Sequence, residues 1–179
     1  MARIRSFPPI ENASAHTLIL GTMPGTASLA AHEYYAHPRN LFWTIFAELL
    51  GFDVTTAYAD RLRHLVSAGI AVWDVLQSCE RPGSLDSSIE PASVVPNDFP
   101  RFFAEHPHVR RVCFNGAHAE ALYRRHVAGA FEHPSPLTFV RLPSTSPANA
   151  SIRYEAKVLA WRAALSHSCA TQRAPSVVP

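Results

Sequence analysis

The sequence is poor in the residues that build metal and disulfide sites. Its three cysteines, Cys79, Cys113 and Cys169, lie far apart and form no CxxC pair. This spacing argues against the usual zinc and iron–sulfur motifs and is typical of reduced thiols in a cytosolic protein. The ten histidines are scattered, and none forms a convincing ligand pattern with a carboxylate. We therefore predict neither a metal nor a cofactor.

Targeting and membrane segments are also missing from the sequence. No run of about 18 apolar residues occurs, so we expect no transmembrane helix. The N-terminal arginines are not followed by an apolar stretch, so we expect no signal peptide. These absences predict a cytoplasmic protein.

Lysine is scarce in the sequence, and the glycine-rich motifs of nucleotide-binding sites are absent. Fifteen of the sixteen basic residues are arginine, the side chain that best makes bidentate contacts with phosphate. The formal charge is only +2, which permits a nucleic-acid partner but does not demand one. The sequence contains neither GxGxxG nor a P-loop GK[ST], which argues against the common dinucleotide and nucleoside-triphosphate sites.

What is present is sufficient for one globular domain. The chain has 179 residues, of which 47% are hydrophobic, enough to fill a core. We predict a single domain over residues 1–168 and a disordered tail over 169–179.

Short apolar runs alternate with helical patterns along this domain. We predict strands at 17–20, 70–76, 109–114 and 137–142. We predict helices at 38–50, 55–68, 98–105, 117–128 and 150–167, with an irregular arm over 1–15 and an ordered loop over 78–96. Strands that alternate with helices pair in parallel, so the expected fold class is α/β. The expected architecture is a three-layer α/β/α sandwich around a four-stranded, mostly parallel sheet.

Polar loops follow the ends of the four predicted strands, at 21–40, 77–97, 115–118 and 143–149. The carboxyl ends of parallel strands meet at one edge of a sheet, so these loops should share a site. Asp74 is the most informative single residue, because a carboxylate near the end of an apolar strand is costly unless it is paired or borders a site. It either caps a local loop or is aimed at a ligand N–H group.

Several motifs together resemble one known family. GTMPG at 21–25, YYAHPRNLFW at 34–43, VWDVLQSCERPGSLDSSI at 72–89 and LPSTSPAN at 142–149 are similar to motifs of the uracil-DNA glycosylase superfamily. The resemblance covers about residues 17–165 and is strongest to the DNA-deoxyinosine, or hypoxanthine-DNA, glycosylase branch, which is related to the mismatch-specific uracil-DNA glycosylases. It implies the same α/β/α fold.

The chain departs from the superfamily pattern at two catalytic positions. The water-orienting Asn or Asp of the first motif is Met23 here, and the HPSPLS-like second motif reads Leu142–Asn149 without a histidine. Methionine orients water poorly, whereas an amide both donates to and accepts from it. Asn40 is therefore the best candidate for the catalytic residue, with Asn149 and Ser144 as lesser ones. Asn40 could instead be a helix cap or a brace between loops.

The resemblance also implies which residues bind the base and the DNA. Asp74 matches a strand position that carries a base-reading Asn in many relatives, and an ionised Asp would accept from the N1–H of hypoxanthine. Tyr35 would stack on the flipped base, while Tyr34 packs in the interior. The base-binding set is completed by Gly21, Thr22 and Met23. The expected DNA-binding residues are Ser144, Thr145, Ser146 and Asn149.

The implied activity is removal of a deaminated base, most simply hypoxanthine, from double-stranded DNA, leaving an abasic site. No lysine lies in the motifs, so we expect a monofunctional enzyme without a Schiff-base step. Two alternatives stay open: a glycosylase for uracil or a mismatched base, and a damaged-DNA binder with little turnover, which Met23 would favour. We expect a monomer that associates with the nucleoid when it is on DNA.

Overall fold

The computed structural model describes residues 3–133 and 136–166. The strands are β1 (Arg3–Arg5), β2 (Thr17–Gly21), β3 (Ile70–Asp74), β4 (Leu76–Glu80), β5 (Val95–Pro96), β6 (Arg111–Asn115) and β7 (Thr138–Leu142). The α-helices are α1 (Thr26–Ala31), α2 (Phe42–Leu50), α3 (Tyr58–Ser67), α4 (Phe99–Glu105), α5 (Ala117–His126) and α6 (Tyr154–Ser166). Within these ranges, none of the helices combines the length and the apolar character that a membrane crossing requires.

The main sheet has the strand order β3-β2-β6-β7, and all its neighbouring strands are parallel. Its central strand β2 is buried along its whole length, which explains why its sequence is a short unbroken apolar run. The predicted four-stranded sheet and its parallel pairing are confirmed. All four strands end at one edge, and the chain crosses back over the sheet between them.

Helices cover both faces of this sheet. In one layer α2 packs on α6 and α3, with 5.7 Å between the ring centroids of Phe46 and Trp161 and the same distance between Trp43 and Tyr58. In the other layer α4 meets α5 where Phe99 and Tyr123 lie 5.3 Å apart. The buried apolar residues form one cluster, and the predicted α/β/α sandwich is confirmed. The predicted tail over 169–179 lies outside the described residues, so the domain limits stay a prediction.

The predicted strand over 70–76 is confirmed at 70–74 and wrong at its last two residues. The chain leaves the main sheet after Asp74, where the Val75 N–H donates to Gly21 O at 2.8 Å and the Leu76 N–H donates to Thr22 O at 3.2 Å. The following residues form β4, which belongs to a second, antiparallel sheet with the order β1-β4-β5. A continuous apolar run does not reveal a change of sheet, because both strands bury their side chains.

The same small sheet corrects two other predictions. The arm over 1–15 is not wholly irregular, because Arg3–Arg5 pairs antiparallel with β4. The region over 78–96 is not a simple loop, since it contains most of β4, two 3₁₀ turns and β5. Its turn-rich composition hid these short elements. The small sheet fastens the N-terminal arm beside the end of β3.

Three helices begin three or four residues later than predicted, and one of them is α3, which begins at Tyr58 instead of residue 55. Pro38 and Arg39 form a turn, and α2 begins at Phe42, so the helix does not start at the HPRN motif. The last helix begins at Tyr154 instead of residue 150, and its N-terminus is therefore separated from the Ser144–Ser146 loop. Turn residues and helix residues share the same polar composition at these boundaries, so the sequence placed them early.

Candidate active site

A cavity of about 860 Å³ opens at the carboxyl edge of the main sheet. All four predicted loop segments contribute to its lining, including Ser84–Ser87 from the region after β4. The expected convergence of these loops is confirmed. The volume falls in the ordinary range of small-molecule sites.

Most of the sequence-predicted residues line this one cavity. They are Thr22, Met23, Tyr35, Asn40, Asp74, Ser144, Thr145, Ser146 and Asn149. Gly21 lies directly behind Asp74, where a Cβ would come within 2.5 Å of Asp74 Oδ1. The cavity therefore joins the first-motif turn, the end of β3 and the Ser/Pro loop after β7.

Asn40 stands at the entrance to α2 and lines the cavity. The Asn40 Oδ1 accepts a hydrogen bond from the backbone N–H of Phe42 at 3.0 Å. The backbone N–H of Asn40 donates to His37 O at 2.8 Å. The side chain is thus a local cap, as one alternative predicted. Within residues 3–133 and 136–166 no acceptor meets its Nδ2, and Oδ1 keeps a second lone pair. A fixed amide with one donor and one acceptor left over is suited to holding a water molecule.

Tyr35 lines the cavity and is held in an unusual backbone conformation. Its φ is +57°, a region that non-glycine residues seldom adopt and that functional sites often retain. Its ring stacks on Phe42 with centroids 4.0 Å apart, so one face of the ring is already covered. Its hydroxyl is buried and forms no hydrogen bond of good geometry with the described residues, although the nearby Asn115 side chain opposes the rise in its pKa that burial causes. Burial raises the pKa of this hydroxyl well above its ordinary value, so it is a neutral donor.

Tyr34 packs in the interior, as predicted. It is 3% exposed, and its backbone oxygen accepts from Trp43 Nε1 at 2.8 Å. This contact fixes the chain direction just before Tyr35.

Asp74 ends β3 and is almost fully buried. Its Oδ2 accepts from the Ser6 hydroxyl at 2.6 Å, and its backbone oxygen accepts from Asn97 Nδ2 at 2.8 Å. Burial raises the pKa of the carboxyl to about 7, and the nearby Asp86 acts in the same direction. Asp74 is therefore a poor anion at neutral pH, which differs from the ionised acceptor that the sequence suggested.

Gly21→Ala is expected to lower the rate of the base removal that the resemblance implies by about 10²-fold, because small displacements of reacting groups carry losses of that order. The added Cβ would lie 2.5 Å from Asp74 Oδ1 and 3.0 Å from the Tyr35 hydroxyl, so both side chains would have to move. Single-turnover excision rates measure the effect. Gly129→Ala is the matched control, since no atom lies within 4 Å of a Cβ there. Equal rates for the two variants would contradict the assignment of Gly21 to the site.

A buried arginine that the sequence did not indicate holds the first-motif turn. The Arg81 side chain is 0% exposed, and its guanidinium donates to Met23 O at 3.4 Å and Pro24 O at 2.5 Å. It also pairs with Asp86 Oδ1 at 3.3 Å. Burial raises the pKa of Asp86, while hydrogen bonds from Thr22 and Arg81 oppose that shift. Arg81 therefore fixes the backbone of the turn that lines the cavity.

Asn115, at the end of β6, joins the cavity wall to the Ser/Pro loop. Its Nδ2 donates to Thr145 Oγ1 at 2.9 Å, and its Oδ1 accepts from the Thr145 N–H at 2.8 Å. Thr145 is completely buried, and its backbone oxygen accepts a hydrogen bond from the Leu41 N–H at 3.0 Å. The structure thus gives Thr145 a bracing position between loops, while Ser144, Ser146 and Asn149 stay partly exposed. Its position directly after the third predicted strand, at 109–114, was the only feature of the sequence that pointed to Asn115.

Lys157, the one lysine of the chain, lies beneath the same loop. It is 1% exposed, and its ammonium donates to Ser144 O and Asn149 O, each at 2.7 Å. Burial lowers its pKa. By linking carbonyls near both ends of the loop, it holds Ser144–Asn149 in one shape.

Two histidines and one arginine also line the cavity. They are His37, His118 and Arg141, and Arg141 is also 3.4 Å from Glu120 Oε2. Their N–H groups are donors of the kind that bind phosphate oxygens.

The fold and this site define a class of protein: an α/β/α domain with a base-sized cavity at the carboxyl edge of a parallel sheet. The sequence profile of the Uracil DNA glycosylase superfamily matches residues 8–165. The chain belongs to this superfamily.

Individual relatives refine the comparison. The chain is similar to two proteins named hypoxanthine DNA glycosylase. The one from Methanosarcina barkeri is 34% identical over 113 residues, which is 63% of this chain and 70% of the relative. The one from Methanosarcina acetivorans is 34% identical over 116 residues, which is 64% and 72% of the two chains. A solution NMR structure from M. acetivorans, described provisionally as a uracil DNA glycosylase, superimposes with a TM-score of 0.74. It shares 30% identity, and the match covers 93% of this chain and 98% of that one.

Proposed function

We propose that this protein is a monofunctional DNA glycosylase that hydrolyses the N-glycosidic bond of a deaminated base, hypoxanthine, in double-stranded DNA. The observation that carries the proposal is the placement of Asn40, Tyr35 and Asp74 around one cavity in a uracil DNA glycosylase fold. The names of the two relatives support hypoxanthine as the base.

Base removal begins when the damaged nucleotide leaves the helix and enters the cavity. Extrusion requires unstacking, which is easier at a mismatch such as I·T. Tyr35 contacts the base with the ring face away from Phe42 and with its unpaired hydroxyl. Asp74 and the Gly21–Met23 backbone bind its edge. The contact with the base gives the buried Tyr35 hydroxyl the hydrogen-bond partner that it lacks in the free protein.

The chemical step separates the base from the sugar. The bonding electrons go to the base as the sugar becomes oxocarbenium-like, and hydrogen-bond donors around the base stabilise the developing negative charge. Asn40 positions the water that attacks the anomeric carbon, with Nδ2 donating to the water and Oδ1 accepting from it. The products are the free base and an abasic site.

The DNA backbone is held by the loop after β7. Ser144, Ser146 and Asn149 supply hydroxyl and amide groups to the phosphates, and Thr145 acts through its bonds to Asn115. His37, His118 and Arg141, which also line the cavity, supply further N–H donors. We also propose that the protein acts as a monomer in the cytoplasm and is associated with the nucleoid while it is on DNA.

No Schiff base with Lys157 should form during turnover. The chain's only lysine does not line the cavity, and its ammonium is bound to two carbonyls. Borohydride added to the reaction should therefore trap no covalent protein–DNA adduct, and strand breaks should appear only after alkali. Lys157→Arg is the control, since an adduct made by wild type and lost in this variant would contradict the expectation.

The base assignment is tested with duplexes that contain deoxyinosine, deoxyuridine or deoxyxanthosine opposite each normal base. After incubation and alkali cleavage, we expect strand breaks at deoxyinosine. Cleavage at uracil alone would overturn the hypoxanthine assignment in favour of a uracil glycosylase, which the shared N–H and carbonyl pattern of the two bases permits. Tight binding without abasic product would favour a damage-binding protein, the alternative that Met23 supports.

A further inference from the structure

The carboxyl of Asp74 is buried without a cation in contact with it. Its Oδ2 meets only the neutral hydroxyl of Ser6, at 2.6 Å, and its Oδ1 lies against Gly21. Among the described residues, no Lys, Arg or His forms an ion pair with this carboxyl. An ionised carboxylate in such a place loses its hydration and receives little in return.

The ionisable and polar groups around Asp74 do not repair this deficit. From the N-terminal arm comes Ser6, and from the segment before α2 come Tyr34 and Tyr35, both neutral because the pKa of each is raised. The segment after β4 contributes one anion, Asp86, and one cation, Arg81. The guanidinium of Arg81 is already bound to Asp86 and to three backbone carbonyls.

We infer that Asp74 reads the extruded base as a neutral carboxylic acid and not as a carboxylate. The inference rests on the proposed function for the identity of the base. A carboxylic acid offers one O–H donor and one carbonyl acceptor side by side. The edge of hypoxanthine offers the complementary pair, with O6 as acceptor and N1–H as donor. Two parallel hydrogen bonds then form, whereas a carboxylate would repel O6.

The acid form is also accessible near neutral pH. Burial raises the pKa of Asp74 to about 7, with Asp86 acting in the same direction and Ser6 and Arg81 opposing it. The proton comes from solvent and forms the O–H bond of the acid, and no covalent bond forms between the base and the protein. A protonated Asp74 side chain therefore has the same shape and the same donor–acceptor pattern as the amide of an asparagine.

Asp74→Asn is the direct test, because an amide keeps a donor beside an acceptor at every pH. Single-turnover excision of hypoxanthine from an I·T duplex is measured from pH 6 to 9 for both proteins. We expect Asp74→Asn to keep activity within about tenfold of wild type at pH 6. The ratio of wild-type to variant rates should then fall about tenfold per pH unit above pH 7, since one proton is lost. A pH-independent ratio, or a folded Asp74→Asn protein that is inactive at every pH, would overturn the inference.

A second measurement needs no substrate, so it separates this inference from the proposed function. A carboxyl whose pKa is raised on folding stabilises the native state fully below its unfolded pKa, about 4, and loses that contribution as pH rises to the folded pKa. The unfolding midpoint of wild type should therefore fall relative to that of Asp74→Asn between about pH 4 and 7, and the difference should be constant above 7. Asp60→Asn, on the exposed part of α3, should follow wild type throughout. Parallel curves for wild type and Asp74→Asn would show an ordinary carboxylate. If this linkage is present but no base is excised, the acid stands and the proposed function fails.

Discussion

Asn40→Ala is expected to lower the single-turnover rate of base excision by about 10²–10⁴-fold, the usual effect of removing a group that positions and activates a reacting water. Asn40 lines the cavity and offers both a donor and an acceptor, while Met23 at the family's usual position offers neither in useful form. Affinity for damaged duplex should change by only a few-fold, because the phosphate contacts that we propose lie in the loop after β7. Rates measured with enzyme in excess, together with binding isotherms, give both quantities.

The variant also removes a cap, and that effect has to be separated from the chemistry. Losing the Asn40–Phe42 hydrogen bond should lower the free energy of unfolding by about 1 kcal/mol. Asp98→Ala is the matched control, since Asp98 caps α4 by accepting from the Arg101 N–H at 3.1 Å, away from the cavity. Asp98→Ala should show a similar loss of stability with an unchanged excision rate. An Asn40→Ala protein that excises at the wild-type rate would assign Asn40 to capping alone and reject its catalytic role.

Arg81→Met is expected to reduce the free energy of unfolding by about 3–5 kcal/mol, the usual result of removing one partner of a buried pair. The Arg81 side chain has no exposed surface, and its removal leaves Asp86 and the carbonyls of Met23 and Pro24 without their donor. The Gly21–Gly25 turn would lose the hydrogen bonds that Arg81 donates to it. The rate of base excision should therefore fall together with the free energy of unfolding. Denaturant unfolding followed by fluorescence measures the first effect.

Arg101→Met provides the comparison for Arg81→Met. Arg101 pairs with Glu105 on the surface of α4, where its side chain is 73% exposed. Surface pairs of this kind are weak, so no measurable change in unfolding is expected. Similar behaviour of the two variants would mean that the buried Arg81 network does not support the turn.

Local sequence patterns predicted the main sheet. They missed the small sheet because it depends on pairing between segments that are distant in sequence. Strand β2 is a short apolar run because it is buried on both sides in a parallel sheet, and such runs are recognisable. Leu76 continues the apolar run of β3, yet Leu76–Glu80 forms a separate strand that pairs with Arg3–Arg5 across more than 70 residues of chain. Pairing over that separation leaves no periodic signature in either segment.

The candidate site divides in a similar way. Asn40, Tyr35 and Asp74 could be named because motif spacing and family resemblance marked them, and the structure brings them to one cavity. Arg81 and Lys157 could not be named, since each acts by hydrogen bonds to backbone carbonyls that are distant in sequence. A charged residue in a polar loop or on a helix looks like solvated surface until its burial is known.

The sequence by itself determined the fold class, the superfamily and the edge of the sheet where the chemistry lies. These follow from periodicity, from the alternation of strands and helices, and from short motifs, all of which are local. Only the tertiary structure decided the state of the groups in the site. It placed Asp74 in a buried position without a cationic partner and gave Tyr35 an unpaired hydroxyl. It also locked the first-motif turn onto Arg81. Desolvation and hydrogen bonding depend on what folds around a side chain, so they cannot be read from the residue or its neighbours in sequence.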